Sequence, residues 1–233
     1  MNAAGGIWAV VPVKDTAAAK TRLGAALPAD LRRALALAML EDVLAALAAV
    51  RGLAGRLLVT TDAAATQLAL RYGAQCTTES AGDGHTGAVM AAARRLARDG
   101  AAGMLTVPGD VPLVTAAEVE QLLAAHRQSY RQGAPAFTIA PSHDEQGSNA
   151  ILMSPPDAVP LRFGDDSFFP HLAAARACGI APTVLHLPGI ALDIDNPVDL
   201  AHFAHLGSRT RAGLWLADNK TALAAAGIGR QPV

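Results

Sequence analysis

The stretch IWAVVPVKDTAAAKTRL, Ile7 to Leu23, decides the fold. Its first seven residues form a short apolar run bounded by polar residues, so Ile7 to Val13 reads as a buried strand. Lys14 to Gly24 follows as a loop carrying Lys14, Lys20 and Arg22, and Pro28-Ala29-Asp30 opens a long helical pattern. Strand, basic loop and helix make the first unit of an α/β domain.

Downstream the same rhythm continues. Arg56 to Thr61 repeats the strand signal, and Ala63 to Tyr72 reads as a helix closed by Gly73, which suits a left-handed cap. Ala74 to Thr78 is a third strand, Gly82 to Gly87 a glycine-rich loop, Ala88 to Arg98 a helix, and Gly103 to Val107 a buried strand ending at Pro108-Gly109-Asp110. Strict alternation implies right-handed crossovers and a mainly parallel sheet covered on both faces.

Beyond the helix Ala116 to Arg131 the pattern loosens into strands at Ala136 to Ala140 and Ala150 to Met153, a proline-rich stretch and a helix near Phe168 to Cys178. This reads as an added lobe. A strand at Thr183 to Leu187 leads to Ile190 to Asp195 and a helix opening at Pro197. One domain over residues 1–207 is expected, with 208–233 a tail of unknown role.

Composition narrows the function. Aromatics are only 4 % against 52 % hydrophobic residues, so the core must be built from Ala, Leu and Val. Lys plus Arg number 19 and Asp plus Glu 20, which excludes a general attraction to nucleic acid or anionic lipid and makes any phosphate affinity local. Two cysteines, Cys76 and Cys178, fit a reducing, cytoplasmic setting better than a disulfide framework. Met1 to Gly6 lacks a signal-peptide pattern, and the longest apolar helix carries Arg32, Arg33, Glu41 and Asp42, so no membrane span is expected.

Two groups of residues point to chemistry on phosphates. Lys14, Lys20 and Arg22 follow the first strand, where the carboxyl ends of parallel strands open onto ligand sites. Asp110, Asp193 and Asp195 end two other apolar stretches. Alternation in Asp193-Ile194-Asp195 sends both carboxylates to one face, a hard oxygen set suited to Mg²⁺. Turn formation at Asp110 and helix capping by Asp195 or Asn196 are the simpler alternatives.

Three further segments are weaker. Gly82 to Gly87 matches the dinucleotide-binding glycine pattern but lies about eighty residues too late for a first strand-to-helix turn. Gly147-Ser148-Asn149 and Phe163 to Phe168 lead toward a helix whose exposed amides could hold an anion, with capping by Asp166 or Ser167 the alternative. Among the histidines only His171, near that segment, stands out. No nucleophile elbow or Walker loop is present.

VPVK-x5-KTRL at Val11 to Leu23, PGDVPL at Pro108 to Leu113, GSNAIL at Gly147 to Leu152, RFGDDSF at Arg162 to Phe168 and DIDNPVDL at Asp193 to Leu200 occur in that order. Together they resemble the phospholactate guanylyltransferase family, relatives of the molybdenum-cofactor nucleotidyltransferases that make the activated precursor of the deazaflavin coenzyme F420. The resemblance spans Trp8 to Phe203 and implies a Rossmann-like nucleotidyltransferase sheet. It implies GTP as donor, with 2-phospholactate, phosphoenolpyruvate or 3-phosphoglycerate as acceptor.

Carried residue by residue, it makes Asp110, Asp193 and Asp195 the Mg²⁺ ligands. Lys14 would contact the transferred or acceptor phosphate, and Lys20 and Arg22 would hold the triphosphate. Ser148, Gly164 and Ser167 would cradle the acceptor, and Gly84 and Thr86 would line the nucleotide. Where many relatives show Gly-Leu-Asn, this chain has Gly84-His85-Thr86. The rivals are a nucleotidyltransferase for a larger acceptor, such as molybdopterin or a sugar phosphate, and a non-catalytic nucleotide-binding module. The Ala/Leu-rich helix surface would suit a homodimer.

Overall fold

A computed structural model describes residues 5–16, 20–24, 27–130 and 133–225. Seven strands form one sheet in the order β3-β2-β1-β4-β6-β5-β7. They are β1 (Ile7–Pro12), β2 (Leu53–Val59), β3 (Gln75–Thr77), β4 (Gly103–Thr106), β5 (Ala136–Pro141), β6 (Ser148–Ser154) and β7 (Pro182–Val184). β1 pairs in parallel with β2 and β4, β2 with β3, and β5 with β7, whereas β6 runs antiparallel to both β4 and β5. The mainly parallel sheet is therefore present, with one reversed strand.

That strand positions half of the site. Thr106 is paired with Ile151, so Ser148 and Asn149, at the start of β6, lie beyond the carboxyl end of β4 on the rim that also carries Pro108 to Asp110. Gly103 permits the close approach of β4 and β6, because a Cβ there would fall 2.4 Å from Ser154 Oγ and 2.8 Å from the Met153 carbonyl oxygen.

Side chains alternate across the sheet as a period of two requires. Ala9 and Val11 pack with Val43, Leu44, Leu47 and Leu122 on one face, under α1 (Ala29–Ala49), α2 (Ala63–Arg71) and α4 (Ala116–Ser129). Trp8 and Val10 pack with Val89, Leu96, Phe168 and Leu172 on the other, under α3 (Gly84–Arg98) and α5 (Phe168–Ala177). His126 of α4, 1 % exposed, ties its helix to the sheet through Thr138 Oγ1 at 3.0 Å and Ser154 Oγ at 2.9 Å.

A third apolar cluster joins α1 to α7 (Pro197–His205) and to α8 (Arg211–Asp218), which the short helix α9 (Lys220–Ala225) follows. Within the stretch expected as a tail of unknown role, residues 211–218 and 220–225 are helical. The buried Asp42 carboxylate of α1 accepts hydrogen bonds from the Arg211 and Ala212 backbone N–H groups at 2.8 and 2.9 Å, satisfying amides that open α8. Residues 226–233 lie outside the described set.

Two smaller boundaries also differ from expectation. α3 starts four residues early, at Gly84, whose φ of +76° is a conformation that glycine alone adopts freely. β7 is shorter than expected, and Pro188 opens the turn of helix α6 (Pro188–Ala191) in place of a continued extended chain. No helix among the described residues is long and apolar enough to cross a membrane.

Candidate active site

At the rim defined by the ends of β1 and β4 and the start of β6 lies a cleft of about 720 Å³. Each residue to which the family resemblance gives a role lines it: Lys14, Lys20 and Arg22 from the first loop, Gly84 and Thr86 from the start of α3, Asp110 after β4, Ser148 from β6, Gly164 and Ser167 before α5, and Asp193 and Asp195 after α6, whereas His171 lies buried behind the Ser148 wall. Segments far apart in sequence meet there because β1 and β4 end and the reversed β6 begins at the same rim, and the chain after β6 returns to it before α5, where the Ser167 N–H donates to the Gln146 carbonyl.

Backbone contacts fix the three aspartates relative to one another. The Ile194 N–H donates to the Asp110 carbonyl at 3.1 Å, and Ile194 itself is fully buried, so the flanking Asp193 and Asp195 turn toward the cleft. Asn149 Nδ2 donates to Asp193 Oδ1 at 3.0 Å and to the Ile190 carbonyl at 2.9 Å. Asn196, not Asp195, caps α7: its side chain accepts from Val198 and Asp199 N–H, and Asp199 reciprocates toward Asp195 and Asn196 N–H. Asp195 is thereby released from the capping role that its position allowed.

Electrostatics differ sharply among these groups. Burial, together with the charges of Asp110 and Asp195, pushes the Asp193 carboxyl up to about 6, although Asn149 opposes the shift. Burial would raise Asp195 too, but the ammonium of Lys20 outweighs it and holds Asp195 below the usual carboxylate range. Lys20 Nζ lies 2.5 Å from Asp110 Oδ2 and 2.8 Å from Asp195 Oδ1. Burial alone would lower the lysine, yet the two carboxylates together raise it.

The remaining cations are more exposed. Arg22 donates to Asp165 Oδ1 at 3.0 Å and reaches Asp195 Oδ2 at 3.9 Å, and Lys14 stands exposed on the cleft edge. The resemblance implies that Lys20 and Arg22 hold a triphosphate; here both pair with aspartates. The first loop is pinned from the far side by Asp62, the cap of α2, whose carboxylate accepts from the Thr16 N–H at 2.9 Å and from the Thr16 hydroxyl.

On the other wall, Ser167 sits at the N-cap position of α5 but makes no side-chain cap bond. Its hydroxyl donates to Ser148 Oγ at 3.2 Å, so the capping alternative fails for Ser167. Thr86 Oγ1 accepts from the Phe163 N–H at 3.0 Å, locking the start of α3 to the segment around Gly164.

Three residues that line or support this cleft were not singled out from the sequence. His85 lies against Phe163 with ring centroids 4.3 Å apart, and burial pushes its imidazole down to about 4, against the pull of Asp110 and helped by Lys14. Asn149 orients Asp193, and Asp165 holds Arg22. The Gly147-Ser148-Asn149 string offers a signal for Asn149, whereas nothing local marks Asp165 as a partner of a residue 143 positions away.

Among the described residues, no three His, Cys, Asp or Glu side chains are grouped closely enough to hold a metal ion on their own. The donor set still fits Mg²⁺, which binds through one or two carboxylates and completes its shell with water and substrate phosphates. Burial, and after it the charge of Asp110, raises the Asp193 carboxyl, and a divalent cation bound there would favour its charged form.

A family model described as "Guanylyl transferase CofC like" matches residues 7–222. Phosphoenolpyruvate guanylyltransferase of Rubrobacter xylanophilus is 38 % identical over 201 residues, covering 86 % of this chain and 95 % of that protein. 3-Phospho-D-glycerate guanylyltransferase of Colwellia psychrerythraea is 35 % identical over 199 residues, covering 85 % and 91 %. Among solved structures, 4-diphosphocytidyl-2C-methyl-D-erythritol synthase superposes with a TM-score of 0.59 at 12 % identity, covering 90 % of this chain and 98 % of that one. CMP:2-keto-3-deoxy-manno-octonic acid synthetase, complexed with CTP, gives 0.56 at 14 % identity, covering 87 % and 98 %. At such identities these structures establish the shared fold alone.

Proposed function

The chain belongs to the CofC-like guanylyl transferase family, and from that premise we propose that this cleft transfers GMP from GTP to a small phosphorylated acid, releasing pyrophosphate. The product would be an activated precursor of coenzyme F420. The observation that carries the reading is the meeting of Asp110, Asp193 and Asp195 with Lys14, Lys20 and Arg22 in one cleft beside the Ser148–Ser167 pair. Relatives named for phosphoenolpyruvate and for 3-phosphoglycerate support an acceptor of this size.

The chemistry follows from charge. An oxygen of the acceptor phosphate attacks the α-phosphorus of GTP in line, the bond to the β-phosphate bridge oxygen breaks, and pyrophosphate carries away the electron pair. No protein nucleophile is required. Two polyanions must be brought together, so positioning and electrostatic stabilisation supply the rate. Lys14 and Arg22 face the cleft edge, where they can neutralise phosphoryl oxygens, with Lys20 deeper between its aspartates. Asp110, Asp193 and Asp195 would hold Mg²⁺, which, when bound, supplies Lewis-acid neutralisation of phosphoryl oxygens. Ser148 and Ser167 present hydroxyls to the acceptor's anionic groups, and the backbone at Gly84 and Gly164 allows close approach.

Pyrophosphate release by the purified protein with Mg²⁺ tests the proposal, with each of the four nucleoside triphosphates set against phosphoenolpyruvate, 2-phospholactate and 3-phosphoglycerate. Release with GTP and one acid is expected, phosphoenolpyruvate being the first to try. Release with none of them would refute guanylyl transfer to a small acid.

A further inference from the structure

His171 is buried in the first turn of α5, 1 % exposed, and takes no part in the transfer chemistry described above. We propose that it is a positioning residue, whose fixed tautomer leaves the Ser148–Ser167 hydroxyl pair with a hydrogen to donate to the anionic group of the acceptor acid. This rests on the guanylyl-transfer reading of the cleft and assigns one contact within it.

The argument is a count of hydrogens. The Arg162 backbone N–H donates to His171 Nε2 at 2.9 Å, so Nε2 holds a lone pair. In a neutral ring the hydrogen then belongs to Nδ1, which lies 2.9 Å from Ser148 Oγ and donates to it. Burial, with His85 nearby, pushes the imidazole down to about 4, so the ring is neutral at physiological pH. Phe163 meets it edge-on, centroids 5.0 Å apart, which limits ring rotation.

Ser148 and Ser167 together carry two hydroxyl hydrogens. One is spent between them, in the 3.2 Å bond from Ser167 to Ser148. The imidazole accepts neither. Among the described residues no protein acceptor takes the second, and both serines line the cleft. It is therefore available to a carboxylate or phosphate oxygen, as a bond strengthened by the ligand's charge. With the opposite tautomer, Ser148 would donate to Nδ1 and turn a lone pair toward the incoming anion. The Arg162 amide, from the segment that flanks the acceptor, sets the choice.

Two substitutions separate this role from simple packing. In His171→Asn the amide nitrogen can take the place of Nδ1 as donor to Ser148, whereas His171→Leu fills the site without one. The Leu variant keeps the serine hydrogens but loses the Nδ1–H that fixes the direction of the Ser148 hydroxyl, so KM for phosphoenolpyruvate should rise by roughly 2- to 10-fold, the range for one neutral hydrogen bond, with KM for GTP changed less than about two-fold. The Asn variant should recover most of that loss. Equal acceptor KM values in the two variants, or a matching rise in KM for GTP, would overturn the proposal.

Should the Leu variant not fold, ring-nitrogen chemical shifts of the ¹⁵N-histidine-labelled unaltered protein still decide the tautomer. A protonated Nδ1 with unprotonated Nε2 is expected, and a charged ring or an Nε2–H tautomer overturns the assignment. Absence of pyrophosphate release from the unaltered protein with every acid would remove the acceptor role by removing the reaction itself, and the ring-nitrogen spectra distinguish that failure from a wrong tautomer.

Discussion

Lys20 and Asp110 are joined by a 2.5 Å contact in which a lysine ammonium takes the place of a cation between carboxylates, since the same Nζ also reaches Asp195. Its backbone lies in the left-handed region at φ 54°. Replacing it with Met should therefore have two opposite effects. Mn²⁺ or Mg²⁺ should bind the nucleotide-free protein about ten-fold more tightly by calorimetry, since Asp110 and Asp195 lose their internal partner. Turnover with Mg–GTP should fall by roughly 10²- to 10³-fold, through loss of a charge that stabilises the transition state. Unchanged metal affinity would separate Lys20 from the cation position.

Asp193 predicts a pH dependence of opposite sense to that of an ion-paired carboxylate. Its folded-state pKa of about 6 lies above the ordinary 3.8, so the native protein binds the proton more tightly than the unfolded chain does. Its charge costs no stability below the unfolded value, and the cost grows as pH rises through the window to about 6. Asp193→Asn should thus raise the stability of the metal-free protein at pH 8 by on the order of 2 kcal/mol, and by nothing near pH 3.5. Metal affinity of the unaltered protein should weaken as pH falls through 6. Denaturant midpoints and metal titrations across that range check both statements.

His126 behaves in the reverse way. Burial holds its imidazole down at about 4, between Thr138 and Ser154, while the unfolded chain accepts a proton near 6.5. Its contribution to stability is complete above 6.5 and declines as pH falls from 6.5 to 4, by up to on the order of 3 kcal/mol. In His126→Gln the unfolding midpoint should be lower at neutral pH and should depend less on pH between 6.5 and 4. An undiminished slope would assign acid sensitivity to other groups.

Asp42 carries the attachment of the C-terminal helices. Asp42→Ala strips the carboxylate from two amides that open α8, and should cost about 1–3 kcal/mol. Limited proteolysis should then cut first near residues 207–210, with pyrophosphate release per folded molecule little changed. Loss of activity without such cleavage would place α8 in the catalytic apparatus.

Most of the cleft lining was legible because it obeys a local rule: charged residues stand where an apolar run ends. Lys14 follows β1, Asp110 follows β4, and Asp193-Ile194-Asp195 shows its own alternation around a buried Ile194. What the sequence left unread depends on distant partners. The apolar run of β6 does not encode its direction, and only that reversal brings Ser148 and Asn149 to the rim. The pairing of Arg22 with Asp165, and of Lys20 with Asp110, involves residues 143 and 90 positions apart. α8 is short, and its anchor is an acid in α1 that periodicity reads as a charge on an apolar helix.

The reversal of β6 also divides the enzyme's inheritance. The half built from β1 to β4 supplies the cations, Asp110 and the start of α3, while the chain between Ser142 and Leu192 supplies Ser148, Asn149, Gly164, Ser167 and the approach to Asp193. The two halves share a rim but are stitched together in sequence at one crossing, through α4. If Ser148, Gly164 and Ser167 hold the acceptor as proposed, a graft of that contiguous block from a relative of different acceptor preference should shift acceptor choice while GTP use is retained, which pyrophosphate release with each acid would show.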